Sequence, residues 1–383
     1  MIDHKTYLLD LDSSSPSRIL SAHARSREFE WYRRVMNDHI ATPAVDQRLD
    51  GPGLSHINPA DPAASYYNLL AKLRSPLTLR QLMIQPVRNG YIGQDHPIDP
   101  MDLPPTAAQL YPQIAVSEIY APSAAGPIRC QVFSAPKATA SRPMLLYIHG
   151  GGFTVGRSED TAYITSRIAK ETGFVVVSVN YRLAPEWPFP AGLDDCLSVL
   201  HWMRKHGTEI EGNPEQIAVG GDSSGGNFAA VLPLKAQDEG VRPPEAAVLL
   251  CPLTDFFVEQ YESFERLAPL GIIYDTAFIG YVRGAYVVRY RNWSHPHVSP
   301  ARGDLRFYPP TLIVSGTNDP MIDDNRAFAR KLRDAGNEHV ELFVREGMPH
   351  GYYFFPHLLK EGDEAFEAVT RFLKSTFSVH IDR

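Results

Sequence analysis

The sequence predicts an α/β fold with a mostly parallel central sheet flanked by helices on both faces. Two observations favour this class. From about residue 114 onward, short apolar segments alternate with longer segments of helical spacing. Several of the apolar segments, such as AAVLLCPL (246–253), are nearly continuous hydrophobic runs, which is typical of parallel strands buried on both faces. An all-β fold would instead show many short strands and few helices.

Strands are predicted at the apolar segments. The first two, QIAVSEIYA (113–121) and IRCQVFSAP (128–136), are joined by a Gly-Pro turn. The others are MLLYIHG (144–150), FVVVSVNY (174–181), QIAVGG (216–221), AAVLLCPL (246–253), TLIVSG (311–316) and VELFVRE (340–346).

Helices are predicted in the segments between and after the strands, where apolar residues recur at helical spacing. They are SEDTAYITSRIAKETG (158–173), AGLDDCLSVLHWMRKHG (191–207), NFAAVLPLKAQDEG (227–240), MIDDNRAFARKLRDAG (321–336) and DEAFEAVTRFLKSTF (363–377).

Two regions interrupt this alternation. Residues 1–110 combine helix-like pieces with proline-rich connections, and residues 256–298 form an insertion too long for a simple crossover. Large insertions on such sheets often cover the site at the carboxyl ends of the strands. We therefore expect both regions to form a helical cap over a core made of residues 111–255 and 299–383. Extra scaffold or an oligomerisation arm is the alternative for residues 1–110.

Composition restricts the partners. The net charge is -7 and no basic stripe is present, so we expect no nucleic acid partner. No polybasic segment or long apolar run predicts a membrane anchor. The N-terminal residues lack the apolar run of a signal peptide. Three widely separated cysteines are typical of reduced thiols, so we expect a cytoplasmic protein.

The stretch GGDSSGG (220–226) resembles three unrelated motifs. A trypsin-like Gly-Asp-Ser-Gly-Gly would belong to an all-β protein with paired cysteines, and a phosphate loop would continue with a lysine. The Gly-x-Ser-x-Gly elbow of a hydrolase remains, with Ser223 between a predicted strand and a predicted helix. Gly221 and Gly225 remove side chains that would collide in so tight a turn.

A serine nucleophile needs a histidine base that is held by a carboxylate. Asp319 follows the strand TLIVSG and His350 follows the strand VELFVRE, which gives the order serine, acid, histidine. Asp319 could instead cap the next helix, and His350 could be an ordinary loop residue. The rivals are Asp323, Asp324 and His357, which are predicted to lie in or beside helices.

The segment YIHGGGF (147–153) follows another predicted strand. Consecutive glycines let the backbone approach a substrate and present N–H groups to a negative oxygen. We expect Gly151, Gly152 and the N–H of Ser224 to be these donors; a flexible turn is the alternative. The ring of His149 is expected to bond within its own loop. Gly150 and Asp222 complete the residues expected to support the site.

Five segments occur in a family-specific order: HGGGF (149–153), NYRLAPEWPFPAGLDDC (180–196), GDSSGG (221–226), DPMIDD (319–324) and PHG (349–351). In this order, over roughly residues 114–375, the chain resembles the bacterial hormone-sensitive lipase family of α/β-hydrolase esterases. The resemblance implies a serine carboxylesterase with no metal or organic cofactor and with a helical cap.

The resemblance also implies roles for residues. Ser223, Asp319 and His350 correspond to nucleophile, acid and base, and Glu186 corresponds to a position that supports the site. The sequence departs from the family pattern at Ser224, where alanine is more usual, and at Met321, where leucine is common. The region before residue 110 is longer than the family's usual cap.

Two other clusters could suggest metal binding. His295 and His297 form a His-x-His pair, but no third ligand is evident in the sequence. The Asp/Asn cluster at 318–325 lacks the central glycine and terminal glutamate of a calcium loop. We expect neither to hold a metal.

The sequence therefore predicts hydrolysis of short-to-medium acyl or aryl esters through an acyl-enzyme. Lactones, amides, carbamates or acyl transfer would use the same residues. A small-molecule receptor on this fold is the non-enzymatic alternative, and the presence of His350 argues against it. We expect the protein to form a homo-oligomer, and we favour a dimer.

Overall fold

The computed structural model describes residues 107–136, 141–270, 274, 276–354 and 360–378. All of them belong to the second of two units into which the chain divides, Asn58–Arg383. Most of the predicted region 1–110 and the rival base His357 lie outside the described residues.

A single eight-stranded sheet forms the centre of the described part. Its strands are β1 Ala115–Ala121, β2 Ile128–Ser134, β3 Arg142–Ile148, β4 Val175–Val179, β5 Gly212–Asp222, β6 Ala246–Leu250, β7 Thr311–Gly316 and β8 Val340–Arg345. Their order across the sheet is β1-β2-β4-β3-β5-β6-β7-β8. The pairs β1/β2 and β2/β4 are antiparallel and every other neighbouring pair is parallel. The predicted mostly parallel sheet is confirmed.

The composition of the strands explains their positions. Every residue of β4, β6 and β7 is buried, including Ser178, Thr311 and Ser315, and strands so rich in apolar residues are typical of a sheet covered on both faces. The edge strand β1 carries Ser117 and Glu118 and is mostly exposed. The core therefore lies around the centre of the sheet, beneath the strand ends that carry the predicted site.

Helices cover the sheet, and the longer ones match the predicted segments. They are α1 Ala107–Leu110, α2 Ala162–Thr172, α3 Ala191–His206, α4 Ser224–Asp238, α5 Glu262–Leu267, α6 Thr276–Tyr286, α7 Ile322–Asp334 and α8 Lys360–Ser378. Helix α4 is buried from Ser224 to Ala236 and packs on β3, β5 and β6. A helix that is apolar on nearly all sides belongs at the centre of a domain.

The segment 256–298 lies between β6 and β7. It contains α5, α6 and the short 3-10 turns Val258–Gln260, Ala268–Leu270 and Tyr290–Asn292. We call residues 256–298 the insertion. None of the helices in the described part of the chain is long and apolar enough to cross a membrane.

Candidate active site

Ser223 occupies a strained turn between β5 and α4. Its backbone is left-handed, with φ of 54° and ψ of -117°, which is uncommon for a residue with a side chain. A Cβ on Gly221 would overlap the carbonyl of Gly225, and a Cβ on Gly225 would overlap the carbonyl of Ile148. The N–H of Ser223 donates to the carbonyl of Leu250 at 2.8 Å, which ties the turn to β6. The glycine spacing therefore fits the sharp turn that the sequence predicts.

Three predicted residues meet at the carboxyl ends of β5, β7 and β8. Nε2 of His350 lies 3.0 Å from Oγ of Ser223, and Nδ1 of His350 lies 2.9 Å from Oδ2 of Asp319. Because an ionised carboxylate only accepts hydrogen bonds, Nδ1 carries the proton and Nε2 is left to accept one from the serine. Oδ1 of Asp319 accepts the N–H of Met321 at 2.9 Å, which fixes the carboxylate.

Cys251 lies beside this acid and base. Its Sγ forms, with carboxylate and imidazole atoms of Asp319 and His350, a group of potential metal ligands within 4.8 Å of one another. The imidazole and carboxylate already bind each other, and all three residues are buried. Burial, followed by the nearby Asp319, raises the pKa of the Cys251 thiol well above its usual value. The geometry thus fits a His–Asp pair with a neutral thiol beside it.

The glycine loop after β3 packs against the turn that contains Ser223, since a Cβ on Gly225 would overlap the carbonyl of His149. Gly151 and Gly152 have φ of 118° and 61°, a left-handed conformation that glycine adopts without strain. Among the described residues, the N–H groups of Gly151, Gly152 and Ser224 have no hydrogen-bond acceptor. Ser224 is the first residue of α4, so its N–H lies at the positive end of the helix dipole.

Asp222 joins this loop to the turn at Ser223. Its carboxylate accepts the hydroxyl of Tyr147 at 2.8 Å and the N–H of Gly150 at 3.1 Å. Burial raises the pKa of Asp222 to about 6, although both hydrogen bonds act in the opposite direction. Asp222, next to the serine, thus holds β3 and the glycine loop after it in place.

His149 stays within its loop. Its Nδ1 lies 2.7 Å from the carbonyl of Gly150, and its ring stacks on Tyr181 with the centroids 4.3 Å apart. Burial lowers the pKa of His149 to about 4, so the ring is neutral near pH 7. A neutral ring with Nδ1 as donor supports the loop and leaves no charge beside the glycines.

Two aromatic residues of the insertion reach the site. Oη of Tyr274 lies 3.4 Å from Oγ of Ser223, and its ring centroid lies 4.8 Å from that of His350. Phe278 covers the glycine loop, since a Cβ on Gly152 would lie 2.7 Å from its Cζ. Sequence reasoning missed both residues. The only signal was the abundance of Tyr and Phe in the insertion, which does not say which ring turns inward.

The insertion is fixed to the core by its own side chains. Tyr286 stacks on Phe153 of the glycine loop with the ring centroids 4.0 Å apart. Within the insertion, Arg283 donates to the carbonyl of Phe256 at 3.1 Å and pairs with Glu259 at 2.7 Å. The stacked pair holds the end of α6 against the glycine loop that contains two of the predicted oxyanion donors.

The expected support from Glu186 is not seen. Its side chain is exposed, and within the described residues it forms no hydrogen bond or ion pair. The carboxylate that organises this segment is the buried Asp195, which accepts the backbone N–H of Arg182 at 2.9 Å and pairs with its guanidinium at 2.8 Å. The supporting role of Glu186 stays a prediction, and Asp195 is the carboxylate that holds this segment in the described residues.

The rival residues have other partners. Asp323 accepts the N–H of Ser263 at 2.9 Å, and Asp324 accepts the N–H of Thr254 at 2.7 Å. Both acids lie in α7, as predicted. His297 lies 2.8 Å from Asp238 through Nε2. Nδ1 of His295 accepts the N–H of His297 at 3.0 Å. These local hydrogen bonds occupy the His-x-His pair.

Known proteins share this architecture. Residues 145–354 match a family described as the alpha/beta hydrolase fold. Carboxylesterase NlhH of Mycobacterium tuberculosis is 34% identical over 242 residues, which are 62% of this chain and 75% of that protein. The ethyl acetate hydrolase of Pseudomonas putida is 31% identical over 233 residues, covering 60% of this chain and 72% of that protein.

A solved structure is similar over a larger part of the chain. An esterase of Pyrobaculum calidifontis is 27% identical, with a TM-score of 0.66, and the alignment covers 87% of this chain and 98% of that one. The family match spans more than half of the chain, and the elbow, the acid and the base lie within it. The chain therefore belongs to the α/β-hydrolase fold family, in the group related to hormone-sensitive lipase.

Proposed function

We propose that this protein is a serine carboxylesterase in which Ser223 is the nucleophile, His350 the base and Asp319 the acid. The class, an ester hydrolase, follows from the family and from relatives named as esterases. One observation carries the assignment of residues: His350 lies within hydrogen-bond distance of both Ser223 Oγ and Asp319 Oδ2.

Acylation begins at Ser223. Nε2 of His350 takes the hydroxyl proton while Oγ forms a bond to the ester carbonyl carbon, and the carbonyl π electrons move onto oxygen. Asp319 stabilises the imidazolium and keeps its Nδ1 proton in place. The imidazolium then protonates the departing alcohol, which leaves an acyl-enzyme. Water activated by the same imidazole cleaves the acyl-enzyme and regenerates Ser223.

The oxyanion is held by the N–H groups of Gly151, Gly152 and Ser224. Support for this role comes from their lack of acceptors among the described residues, from the place of Ser224 at the start of α4, and from the contact of the glycine loop with the turn at Gly225. Donors fixed by the surrounding backbone need no reorganisation when the charge develops, and one such donor contributes on the order of 3 kcal/mol to catalysis.

The substrate is proposed to be an ester with a short-to-medium acyl or aryl group. Phe278 and Val282 of α6 pack against Gly152, since a Cβ there would lie 2.7 and 3.2 Å from them. Apolar walls so close to an oxyanion donor favour a compact apolar acyl group over a long chain. The relative from Pseudomonas putida is named for ethyl acetate, a small ester.

The insertion acts as a cap over the site, which is supported by its contacts with Ser223 and Gly152. Residues 1–110 contribute to the same cap or form an arm of a homodimer. The cytoplasm is the proposed compartment, supported by three unpaired cysteines. Size-exclusion chromatography of the chain with and without its first 50 or so residues tests the arm: an unchanged oligomer counts against it.

Hydrolysis of p-nitrophenyl esters from acetyl to hexadecanoyl tests the function. Wild type is expected to be most active on short acyl chains, and Ser223→Ala is expected to lose essentially all turnover while it folds normally. Ser198→Ala is a matched control, because among the described residues that hydroxyl bonds to the carbonyl of Asp194 in its own helix and to nothing else.

Either of two results would overturn the proposal. Full activity in Ser223→Ala would remove the serine from the mechanism. A folded wild type that hydrolyses none of the esters would show that the ester class is wrong, and lactones and amides would be assayed next.

A further inference from the structure

One polar group contacts the reacting oxygen without a part in the mechanism above. Oη of Tyr274 lies 3.4 Å from Oγ of Ser223, on an oxygen that also lies 3.0 Å from Nε2 of His350. Tyr274 belongs to the insertion and is only 1% exposed. A hydroxyl so deeply buried needs a partner, and Ser223 Oγ is the one that the described residues provide.

The ring of Tyr274 has a separate function from its hydroxyl. It packs edge-to-face on Phe278, with the centroids 5.0 Å apart, and against the ring of His350 at 4.8 Å. A phenylalanine would make both contacts equally well. Packing therefore accounts for an aromatic ring at this position but not for the oxygen that points at Ser223.

The hydroxyl is suited to donate. Burial raises the pKa of Tyr274 well above its usual value, so the side chain keeps its proton at working pH. The proton of Ser223 points to His350 in the arrangement derived above, which leaves the lone pairs of Oγ available to a second donor.

We propose that Tyr274 donates a hydrogen bond to Ser223 Oγ whenever that oxygen carries negative charge. This inference rests on the proposed function. In acylation, the Oγ–carbon bond forms as the Oγ proton moves to Nε2 of His350. In deacylation, the same bond breaks and the proton returns to Oγ. Tyr274 keeps its own proton in both steps and stabilises the oxygen as it attacks and as it leaves.

The distance fits a contact that strengthens during the reaction. A separation of 3.4 Å exceeds the usual 2.5–3.0 Å of a strong O–H···O hydrogen bond. Hydrogen bonds in unliganded active sites are often long and tighten in the transition state. A donor that is weak in the resting enzyme and strong in the transition state contributes to the rate rather than to substrate binding.

The test compares Tyr274→Phe with wild type and with Tyr290→Phe, an exposed tyrosine of the same insertion. Two reactions are followed. Pre-steady-state release of p-nitrophenol from p-nitrophenyl acetate separates acylation from deacylation. Diethyl p-nitrophenyl phosphate gives a single turnover in which Oγ bonds to phosphorus, p-nitrophenolate leaves and His350 takes the serine proton.

Tyr274→Phe is expected to slow acylation, deacylation and phosphorylation by about ten- to a hundredfold, the range for a hydrogen bond to a charged group. Dissociation constants for substrate and the melting temperature should stay near wild type, and Tyr290→Phe should match wild type throughout. A purely structural tyrosine would change stability without slowing all three rates.

Three results would overturn the inference: unchanged rates in Tyr274→Phe, a change confined to KM, or faster turnover in Tyr274→Leu. The last would show that the tyrosine obstructs the site. Failure of the proposed function is distinguishable, since wild type would then not be phosphorylated at Ser223 in peptide mass spectra, whatever the variants do.

Discussion

The turn at Ser223 and the insertion above it build the same site by different means. Around the turn, main chain packs on main chain: a Cβ on Gly225 would overlap the carbonyls of Ile148 and His149. In the insertion, Gly280 and Gly284 have no atom within 4 Å of an added Cβ, and the contacts to the core come from side chains such as Tyr286, which stacks on Phe153.

The two kinds of contact serve two tasks, which are positioning the reacting atoms and forming the walls around the substrate. The atoms around Ser223 must be positioned to within tenths of an ångström for the reaction. They are held by backbone contacts that tolerate no extra methyl group. The walls around the substrate are built from side chains, which can change size without moving the main chain. We therefore expect substitutions near Ser223 to abolish function and substitutions in the insertion to redirect it.

The largest effect is expected for Gly225→Ala. The added methyl overlaps backbone atoms of Ile148 and His149 that cannot move without distorting β3. We expect a loss of at least about 3 kcal/mol in the free energy of unfolding, and no detectable esterase activity. Urea unfolding followed by circular dichroism measures the first, and p-nitrophenyl acetate hydrolysis measures the second. A stable, active Gly225→Ala would show that the turn is not sterically closed.

A pH-dependent effect is expected for Asp324→Asn, which lies in α7 and contacts the residues just before the insertion. Asp324 of α7 accepts the N–H and the hydroxyl of Thr254, just before the insertion, at 2.7 and 2.6 Å. Burial raises the pKa of Asp324 from 3.8 to about 7. Because the folded-state pKa is the higher one, the stability that this carboxyl contributes is fully present below about pH 4 and is lost as the pH rises to about 7.

The wild-type free energy of unfolding should therefore fall, relative to that of Asp324→Asn, by up to about 1.4 kcal/mol per pH unit over this range. Urea unfolding at pH 4.5, 6 and 8 measures the difference. Asp323→Asn removes a neighbouring charge from the same helix and is expected to keep the wild-type slope. A constant difference between wild type and Asp324→Asn at all three pH values would contradict the prediction.

A smaller effect, on specificity, is expected for Phe278→Ala. Removing the ring opens space beside Gly152 for roughly two more methylene groups, and each buried methylene contributes about 0.8 kcal/mol. The ratio of kcat/KM for hexanoyl over acetyl esters should rise about tenfold. The exposed Phe307 provides the control, Phe307→Ala. An unchanged chain-length profile would place the acyl group elsewhere.

The smallest effect is expected for Gly280→Ala, the counterpart of Gly225→Ala in the insertion. Gly280 is exposed within α6, and an added Cβ meets nothing within 4 Å. Alanine favours the helix by up to about 1 kcal/mol over glycine, so stability should rise slightly and activity should persist. Thermal unfolding measures the change, and a loss of stability would mean that α6 is packed more tightly on that side.

Much of the fold could be predicted because its information is local. The strands β4, β6 and β7 are short, mostly apolar and separated by helical segments, which is enough to indicate a parallel sheet. The order of the strands across the sheet could not be predicted from local sequence. Nothing local distinguishes β2, which runs antiparallel to β4, from the strands that run parallel to their neighbours.

The residues of the site also differ in how far the sequence could predict them. Asp319 and His350 could be predicted to lie close together because each follows a strand of the parallel sheet and parallel strands end at one edge of the sheet. Tyr274 and Phe278 could not be identified, since their positions depend on how the insertion folds back over the sheet. The role of Glu186 stays a prediction, because a motif gives the place of a residue along the chain but not the direction of its side chain.

The burial of the three cysteines has a practical consequence. Cys130, Cys196 and Cys251 are all buried and unpaired. Burial raises the pKa of each thiol, to about 12 for Cys130, so little of the reactive thiolate is present in the folded protein. Thiol reagents should therefore react with these cysteines only when the core opens. A cysteine introduced at an exposed position would be the single labelling site, so a fluorophore or spin probe could be attached without first removing native residues.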